Sequence, residues 1–277
     1  MPYAHLAVVM PAYNEAEGIA GFIDEIRRAV APLAERVTFV VVDDRSADRT
    51  AAVLAGVDDV QVDSRPVNRG HGPTALVAYR RGLALHPDVL VHVDGDGQFL
   101  GSDLAAAVRA LGRTGASVVH GVRRHRTEAW HRRVLTLCVR LLIASWVGRG
   151  IPDVNTPLRA YRPDAAQLLV DLVPSDALVP HVHFSLAEAR AGLDVRYLPV
   201  QSIPRRGSEA TGTMWGRAAR PSLPPKRLLL FARDALRETW AWSLRPGAPL
   251  RTVAPAPTRA VGPAEAEPTA DEDAPPS

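Results

Sequence analysis

Asp94, Asp96 and Gln98 alternate with glycines in the stretch LVHVDGDGQF, residues 90–99, directly after an apolar run. Two carboxylates this close raise each other's pKa unless a cation or hydrogen-bond donors compensate their charge. Oxygen ligands of this kind suit a hard cation such as Mg²⁺ or Mn²⁺, which keeps coordination positions for water and phosphate oxygens. Aspartate-glycine pairs also form ordinary turns. The stretch therefore has two interpretations, a metal site or a simple turn, and the neighbouring elements decide between them.

The apolar run before Asp94 belongs to an alternation of predicted strands and helices. Strands are predicted at 6–10, 37–42, 57–62, 89–93 and 117–121, and helices at 15–31, 47–55, 72–85 and 102–113. Continuous apolar strands separated by helices are typical of a parallel sheet that is covered on both faces. The sequence thus predicts an α/β fold with a Rossmann-like, mainly parallel sheet and helices on both faces. In such sheets ligands bind beyond the carboxyl ends of the strands.

Polar clusters follow three of the predicted strands at their carboxyl ends. PAYNE (Pro11–Glu15) follows the first strand, DDRSADRT (Asp43–Thr50) the second, and DGDGQ (Asp94–Gln98) the fourth. Helix caps and turns explain each cluster alone, but their convergence on one sheet edge favours a ligand site. Asp44 is placed to accept hydrogen bonds from a nucleoside base or ribose, and Tyr13 to stack beside that base.

Composition and missing motifs limit the possible enzyme classes, cellular settings and ligands. No G-x-x-x-x-G-K-[ST] motif is present and no G-x-G-x-x-G follows the first strand, which disfavours a P-loop ATPase or a nicotinamide enzyme. The single cysteine, Cys138, and an N-terminus without a signal-like segment predict a reducing, cytoplasmic setting. The formal charge of +3 becomes about +6 for residues 1–245, because the last 32 residues carry five acids and two arginines. This mild excess suits diphosphates or lipid headgroups, and no nucleic-acid partner is predicted.

Five segments, in this order and spacing, resemble the family 2 inverting glycosyltransferases: VVMPAYNEAEGI, VVVDDRSADRT, NRGHGPTALVAYRRGL, VHVDGDGQF and GVRR. Within that family the chain is most similar to the polyprenyl-phosphate sugar transferases of the dolichyl-phosphate mannose synthase kind. The resemblance implies a nucleotide-sugar donor of the GDP-mannose or UDP-glucose type and a polyprenyl phosphate acceptor. It also implies Mg²⁺ or Mn²⁺ on the donor diphosphate and inversion at the anomeric carbon.

The same resemblance implies roles for particular residues. Contacts to the nucleoside, ribose and sugar are implied for Pro11, Tyr13, Glu15, Val42, Asp44, Asp94 and Gly95, and metal ligation for Asp96 and Gln98. Whether Asp94 also binds the metal directly stays open. The residues implied near the reacting groups are Asp153 and Arg123. Basic residues recur further along the chain, at Arg132, Arg133, Arg205 and Arg206. They form either a solvated charged face or, in part, a phosphate pocket, for which Arg132 and Arg206 are the candidates. Planar guanidinium groups suit bidentate contacts to the acceptor phosphate and the leaving diphosphate.

The acceptor determines whether a general base is needed. A phosphate monoester is already ionised at neutral pH, with a second pKa of about 6, so it needs orientation and charge stabilisation rather than a base. The alternative acceptor, a hydroxyl of a small molecule or glycan, needs a base, with Asp153, His181 or Glu188 as candidates. His181 and His183 are expected on a strand-like segment, where a structural role is favoured. A non-catalytic nucleotide-sugar binding protein is the third interpretation.

Three regions are predicted along the chain. Residues 1–215 form a glycosyltransferase catalytic domain, 216–245 a C-terminal amphipathic helical segment, and 246–277 a disordered tail. The tail contains eight prolines and no aromatic residues, so it buries too little apolar surface to offset its chain entropy.

Two segments bear on membrane contact. Residues 132–148 and 225–245 combine Leu-rich faces with Arg or Lys and tryptophan, a pattern typical of helices that lie in a membrane interface. The longest mainly apolar stretch, 134–147, is shorter than the roughly 20 residues that cross a bilayer. The alternative is that these apolar faces pack on the catalytic domain. We therefore predict a cytoplasmic protein, and if either helix binds the membrane, the contact is peripheral and at the inner face.

Overall fold

The computed structural model describes residues 2–124, 151–201, 203–206 and 226–253. Within these ranges the strands are β1 Tyr3–Ala12, β2 Ala34–Asp43, β3 Val60–Ser64, β4 Val89–His92, β5 Val118–Arg124, β6 Arg159–Tyr161 and β7 Val195–Gln201. The α-helices are α1 Ile19–Val30, α2 Thr50–Leu54, α3 His71–Leu83, α4 Gly101–Thr114, α5 Pro163–Leu172, α6 Pro180–Ala191 and α7 Lys226–Thr239. Short 3-10 turns span Ala31–Leu33 and Pro249–Thr252, and a π-helical turn spans Trp240–Leu244.

The strands of the described residues form one sheet in the order β3-β2-β1-β4-β6-β5-β7. β6 runs antiparallel to β4 and β5, whereas the other neighbouring strands are parallel. The predicted α/β fold with a mainly parallel sheet is confirmed. In the register of β1, Pro11 lies opposite Val42 of β2 and Val9 opposite His92 of β4. The three polar clusters predicted from the sequence therefore follow strands that are neighbours in the sheet.

The core lies on both faces of the sheet. Along β1, Leu6 and Val8 belong to the apolar cluster that contains α1 and α4, whereas Ala7 and Val9 belong to the cluster that contains α3, α5 and α6. All four side chains are fully buried, and each Val or Leu buried in this way contributes about 1.5–3 kcal/mol relative to exposure. Burial on both faces explains why the strand sequences are continuously apolar.

Helix α1 begins at Ile19, four residues later than predicted. The main-chain N–H groups of Gly18 and Ile19 donate to the Glu15 carbonyl at 3.1 and 3.0 Å, so residues 15–18 form a turn instead of the first turn of the helix. From Ile19 on, the helix buries one apolar stripe against the sheet. The turn leaves Glu15 at the sheet edge, where its side chain faces other polar groups.

The segment with His181 and His183 is helical, which corrects the predicted strand-like conformation. Pro180 opens helix α6, a position where its missing N–H costs nothing. The helix is buried nearly all round, so its sequence lacks the one-sided apolar pattern of a surface helix. The spacing of the two histidines by two residues therefore suggested a strand.

The C-terminal segment is ordered further than predicted. Pro249–Thr252 form a 3-10 turn, and Ala248 and Leu250 are fully buried. The prediction of a disordered tail is thus wrong for residues 246–253, because Leu250 packs in the apolar cluster that contains α6. Residues 254–277 lie outside the described residues. No helix in the described part of the chain is long and apolar enough to span a bilayer.

Candidate active site

The loop after β4 brings two carboxylates together with little compensation. His71 Nε2 lies 3.1 Å from Asp94 Oδ1 but not in hydrogen-bonding geometry, so that buried oxygen has no hydrogen-bond partner among the described residues. Asp96 Oδ1 accepts one main-chain hydrogen bond, from the N–H of Gln98 at 3.1 Å. Burial, and then the neighbouring charge of Asp94, raise the pKa of Asp96 to about 6. A cation at this place would relieve both effects.

The donor set fits a metal that a substrate also coordinates. In the described residues no three His, Cys, Asp or Glu side chains gather as a metal-binding group. Mg²⁺ and Mn²⁺ on a diphosphate typically take one or two carboxylates and complete their coordination with water and phosphate oxygens. The Asp96 carboxylate and the Gln98 amide are oxygen donors of the required kind, and the orphaned Asp94 oxygen lies beside them.

The ends of β1 and β2 are joined by hydrogen bonds. Asn14, in the left-handed region at φ 54, accepts from the Ala47 N–H at 2.8 Å and donates its own N–H to Ser46 Oγ at 2.9 Å. The Glu15 N–H donates to Thr50 Oγ1 at 2.8 Å. The first two polar clusters therefore form one surface, as their placement at the sheet edge predicted.

The residues proposed for the nucleoside differ in what they can offer. Tyr13 is 37% exposed, so its ring is available for stacking. Val42 is fully buried, which leaves it no side-chain contact with a ligand. The main chain of Pro11 and Gly95 is held together, since the Gly95 N–H donates to the Pro11 carbonyl at 3.1 Å. A Cβ on Gly95 would lie 3.1 Å from that carbonyl oxygen, which explains the glycine.

Asp44 uses its carboxylate to shape the loop before α3. One oxygen accepts the Arg69 N–H and the other the Gly70 N–H, both at 2.8 Å. Gly70 has φ 84, a conformation that favours glycine. Asp44 is only 3% exposed. The structure thus gives Asp44 a loop-holding contact that the sequence did not predict.

Glu15 is buried beside an arginine from the far end of the chain. Its carboxylate forms a close ion pair with the Arg205 guanidinium. Burial raises the pKa of Glu15 to about 7, and Arg205 offsets only part of that increase. The sequence patterns did not predict Arg205 as the partner of Glu15. Its contact with Glu15 links residues 190 positions apart, a distance that no local pattern reports.

Arg206 lies against the glycine-rich loop. Its Nε donates to the Gly97 carbonyl at 3.0 Å and its Nη2 to the Phe99 carbonyl at 3.3 Å, while Nη1 lies 2.6 Å from Glu25 Oε2. All three guanidinium nitrogens are therefore engaged. These local partners favour a role for Arg206 in holding the loop, and its contact with phosphate stays a prediction.

Asp153 and Arg123 are brought together, as their shared predicted role near the reacting groups requires. Arg123 Nε lies 3.0 Å from Asp153 Oδ2, and Asp153 is only 7% exposed. Arg123 is at the end of β5, and Asp153 precedes β6, the neighbouring strand in the sheet. Arg132, the other candidate for the phosphate pocket, and Arg133 lie outside the described residues.

A buried polar network lies behind this ion pair. Arg159 is fully buried and donates to Glu188, to Ser185 and to the carbonyls of Val154 and Thr156 at 2.9–3.2 Å. His120 Nε2 lies 3.0 Å from the other Glu188 oxygen. Burial raises the pKa of Glu188, but His120 and Arg159 outweigh burial and lower it.

The network fixes the loop that carries Asp153. Arg159 donates to two carbonyls of that loop, and the Thr156 hydroxyl donates to the Gly121 carbonyl in the middle of β5. Sequence reasoning treated Glu188 as a candidate base and did not predict Arg159 as its partner. The available signal was an arginine within an apolar strand, since a buried guanidinium needs several acceptors.

His181 belongs to an aromatic cluster beneath the site. Its Nε2 lies 3.2 Å from the Tyr79 hydroxyl, and its ring packs edge-on to His92 with centroids 4.6 Å apart. Burial lowers the pKa of His181 well below its usual value and that of His92 to about 4. Both rings are therefore neutral at physiological pH, and neither is exposed to a substrate.

Comparison with known proteins agrees with this arrangement. The model of Glycosyl transferase family 2 matches residues 7–169. An undecaprenyl-phosphate 4-deoxy-4-formamido-L-arabinose transferase of Proteus mirabilis is 25% identical over 195 residues, which make up 69% of this chain and 59% of that protein. Polyprenol monophosphomannose synthase of Mycolicibacterium smegmatis is 30% identical over 186 residues, 64% of this chain and 68% of that protein. The chain thus spans about 59% of the length of the first relative.

Solved structures support the fold. Glucosyl-3-phosphoglycerate synthase from Mycobacterium tuberculosis, in complex with Mn²⁺, uridine diphosphate and glucosyl-3-phosphoglycerate, superposes with a TM-score of 0.59 at 19% identity. The match covers 86% of this chain and 79% of that chain. The predicted resemblance is confirmed, because the family model spans more than half of the sequence: the chain belongs to glycosyl transferase family 2.

Proposed function

We propose that this protein is a metal-dependent, inverting glycosyltransferase that moves a hexose from a nucleotide-sugar to a polyprenyl phosphate. The single observation that carries the proposal is the Asp94 and Asp96 pair at the carboxyl end of β4, with one buried oxygen unpartnered and the pKa of Asp96 raised to about 6. Two relatives are named for transfer to undecaprenyl phosphate and for polyprenol monophosphomannose synthesis. A donor of the GDP-mannose or UDP-glucose type fits this class.

The donor would lie across the ends of β1, β2 and β4. Tyr13 would stack on the base, and the Pro11 and Gly95 main chain would approach the ribose. Asp96 and Gln98 would hold Mg²⁺ or Mn²⁺, with Asp94 shared between the sugar and the metal. When bound, the metal would neutralise charge on the diphosphate and so make it a better leaving group.

Transfer in this site would need positioning more than proton removal. An acceptor phosphate oxygen would form a bond to the anomeric carbon while the bond from that carbon to the diphosphate oxygen breaks, which inverts the configuration. Arg123 would orient the acceptor phosphate, and Asp153 would hold Arg123, since the two side chains are 3.0 Å apart. Preorganised charge of this kind lowers the barrier without a dedicated base.

The surroundings of the three candidate bases support a phosphate acceptor over a hydroxyl acceptor. Glu188 is fully enclosed with Arg159 and His120, and His181 is buried against Tyr79. Asp153 is paired with Arg123. A hydroxyl acceptor would require one of these groups to leave its partner.

We further propose that helix α7 contacts an anionic lipid surface. The helix is anchored at its C-terminal end, where Glu238 accepts from the Leu178 N–H at 2.9 Å and pairs with His183 at 3.0 Å. Its exposed large apolar side chains are Leu229, Leu230 and Leu236, and the exposed Trp240 follows in the π-helical turn. Lys226, Arg233 and Arg237 accompany them, which matches the chemistry of interfacial helices. The protein would then act peripherally at the inner face of a membrane.

One assay tests the acceptor and donor together. Purified protein is incubated with Mn²⁺, labelled GDP-mannose or UDP-glucose, and either a short-chain polyprenyl phosphate or the corresponding polyprenol. We expect label in a butanol-extractable product only with the phosphate, and the β-anomer from an α-linked donor by NMR. Product with the polyprenol would favour the hydroxyl alternative, and no turnover with a broad donor panel would overturn the proposal.

Two further measurements support the same assay. Thermal shifts with a panel of donors and Mn²⁺ identify the nucleotide, since a bound ligand raises the midpoint of unfolding by mass action.

Sedimentation with vesicles of anionic or neutral lipid tests helix α7. The variant is Leu236→Asp, and the control is Val67→Asp, at an exposed apolar residue outside the helix. Equal binding of both variants would contradict the proposed lipid contact.

A further inference from the structure

A short segment after β7 pairs with residues 96–99, the loop that carries Asp96 and Gln98 and is here named the metal-site loop. Residues 203–206, here named the strap, meet all four carbonyls of residues 96–99. The Ile203 N–H donates to the Gln98 carbonyl at 3.0 Å and the Arg206 N–H to the Asp96 carbonyl at 3.2 Å. The Arg206 side chain reaches the other two carbonyls, those of Gly97 and Phe99, at 3.0 and 3.3 Å. The strap thus fixes the main chain on which the two predicted metal ligands are carried.

Glu25 of helix α1 joins the strap to the start of helix α4. One of its oxygens lies 2.6 Å from Arg206 Nη1, and the other accepts the Gly101 N–H, also at 2.6 Å. The glutamate and arginine side chains are 31% and 25% exposed, so water screens the pair only in part. The metal-site loop is therefore held from both ends, by Arg206 on its carbonyls and by Glu25 on the helix that follows it.

The Arg206 side chain fills a slot that two glycines leave open. A Cβ on Gly97 would lie 2.6 Å from Arg206 Cδ, and a Cβ on Gly18 would lie 2.8 Å from Arg206 Cβ. Gly97 has φ 67, which also favours glycine. The guanidinium carbon lies 4.9 Å from the centroid of the Phe22 ring, a stabilising distance for a cation over an aromatic face. These contacts hold the Arg206 side chain in place against the metal-site loop.

We propose that Arg206 and Glu25 form a clamp that positions Asp96 and Gln98 for binding of the divalent metal. The proposal rests on the proposed function, from which it takes the metal. Neither residue touches the reacting atoms, so both are positioning residues. Outer contacts that orient metal ligands typically change metal affinity by about 10- to 100-fold when they are removed.

The test measures metal binding directly, without turnover. Mn²⁺ is titrated calorimetrically into the full chain in the presence of fixed UDP or, separately, GDP, with a blank that lacks protein. The variants are Arg206→Lys, which keeps the charge but loses the forked contact to two carbonyls, and Glu25→Gln, which removes the ion pair. The matched control is Asp24→Asn, because Asp24 forms an exposed ion pair with Arg28 on the same helix at 2.9 Å.

We expect both clamp variants to weaken Mn²⁺ binding about 10-fold or more, and the control to change it less than about twofold. The double variant is expected to lose less than the product of the two single losses, since both act through one contact. In the transfer assay the half-saturating Mn²⁺ concentration should rise while kcat at saturating Mn²⁺ stays within about threefold. A general loss of folding would lower kcat per mole of protein instead.

Three results separate the possible failures. No Mn²⁺ binding by the unaltered protein would overturn the metal in the proposed function and the clamp with it. Normal binding by the unaltered protein and by both clamp variants would overturn the clamp alone. Circular dichroism and thermal unfolding check that each variant folds. A variant that does not fold is replaced by Glu25→Asp, which keeps the charge but shortens the side chain. Unchanged Mn²⁺ affinity in Glu25→Asp and in a folded Arg206 variant also counts against the clamp.

Discussion

Two regions of this molecule bury carboxylates, and they differ in what surrounds the charge. Glu188 lies within 3.2 Å of both His120 and Arg159, and these partners lower its pKa although burial acts in the opposite direction. Asp96 lies beside Asp94 instead, and its pKa is raised to about 6. A buried carboxylate that is paired within the protein holds the structure together, whereas one that is left unpaired is a candidate for binding a ligand.

The comparison also separates the two halves of the proposed site. The donor half, at the ends of β1, β2 and β4, contains the uncompensated pair and the exposed Tyr13 ring. The half with Asp153 and Arg123 rests on the buried Arg159 network. Changes in the first half should affect ligand binding, and changes in the Arg159 network behind the second half should affect stability.

The largest expected effect is on stability, from Glu188→Gln. Loss of the carboxylate leaves Arg159 charged and buried, which typically costs about 3–5 kcal/mol. Urea unfolding at neutral pH measures the change. Asp171→Asn is the control, because within the described residues Asp171 only accepts exposed hydrogen bonds from the Gln167 amide; its effect should stay within about 0.5 kcal/mol. Equal stability of the two variants would break the distinction between the regions.

The next effect is on transfer, from Asp96→Asn. Removal of this carboxylate should lower kcat by about 10²- to 10³-fold, because the charge of the leaving diphosphate would lose its stabilisation. Stability should rise or stay constant, since one member of a repelling pair is gone. Initial rates of sugar transfer and urea unfolding on the same protein sample measure both. A large loss of stability in this variant would contradict the ligand role.

A third test uses pH and concerns His92. The folded-state pKa of His92 is lowered to about 4, below the usual value of about 6.5. As pH falls from 6.5 toward 4, the unfolded chain gains a proton that the folded chain does not, so stability is lost. The loss from this group amounts to as much as about 3 kcal/mol.

His92→Asn should remove that part of the pH dependence. Asparagine can still donate to the Pro157 carbonyl, which now lies 2.7 Å from His92 Nδ1, but it does not titrate. Unfolding free energies at pH 5 and pH 7 should differ less in the variant than in the unaltered protein. Glu15 acts in the opposite direction, because its pKa raised to about 7 makes stability fall as pH rises toward 7. An unchanged pH dependence in the His92 variant would contradict the assignment.

The smallest expected effect comes from His71→Asn. His71 Nε2 lies 3.1 Å from Asp94, and the histidine side chain is 40% exposed. A polar contact as exposed as this one contributes about 0–1 kcal/mol, so the KM for the donor should rise by no more than about fivefold with stability nearly constant. Steady-state kinetics with varied donor measure it. A larger effect on kcat than on KM would place His71 nearer to the reacting atoms than the structure indicates.

The sequence by itself determined the fold class and the donor side of the site. Continuous apolar strand runs and helical apolar patterns are local, and so are the polar residues that end β1, β2 and β4. Because parallel strands end at one edge, the sequence was sufficient to bring PAYNE, DDRSADRT and DGDGQ together. The metal-ligand prediction for Asp96 and Gln98 depended on the same local pattern and on the family resemblance.

Only the tertiary structure decided which charges are compensated. Arg205 and Arg206 meet Glu15 and Glu25 across about 180–190 positions of the chain, and Arg159 meets Glu188 inside the core. A residue's partner at long range depends on how helices and strands pack, and packing leaves no periodic signal in the charged residues themselves. The tertiary contacts therefore place Arg206 against the metal-site loop and leave Asp94 and Asp96 with little compensation for their charge.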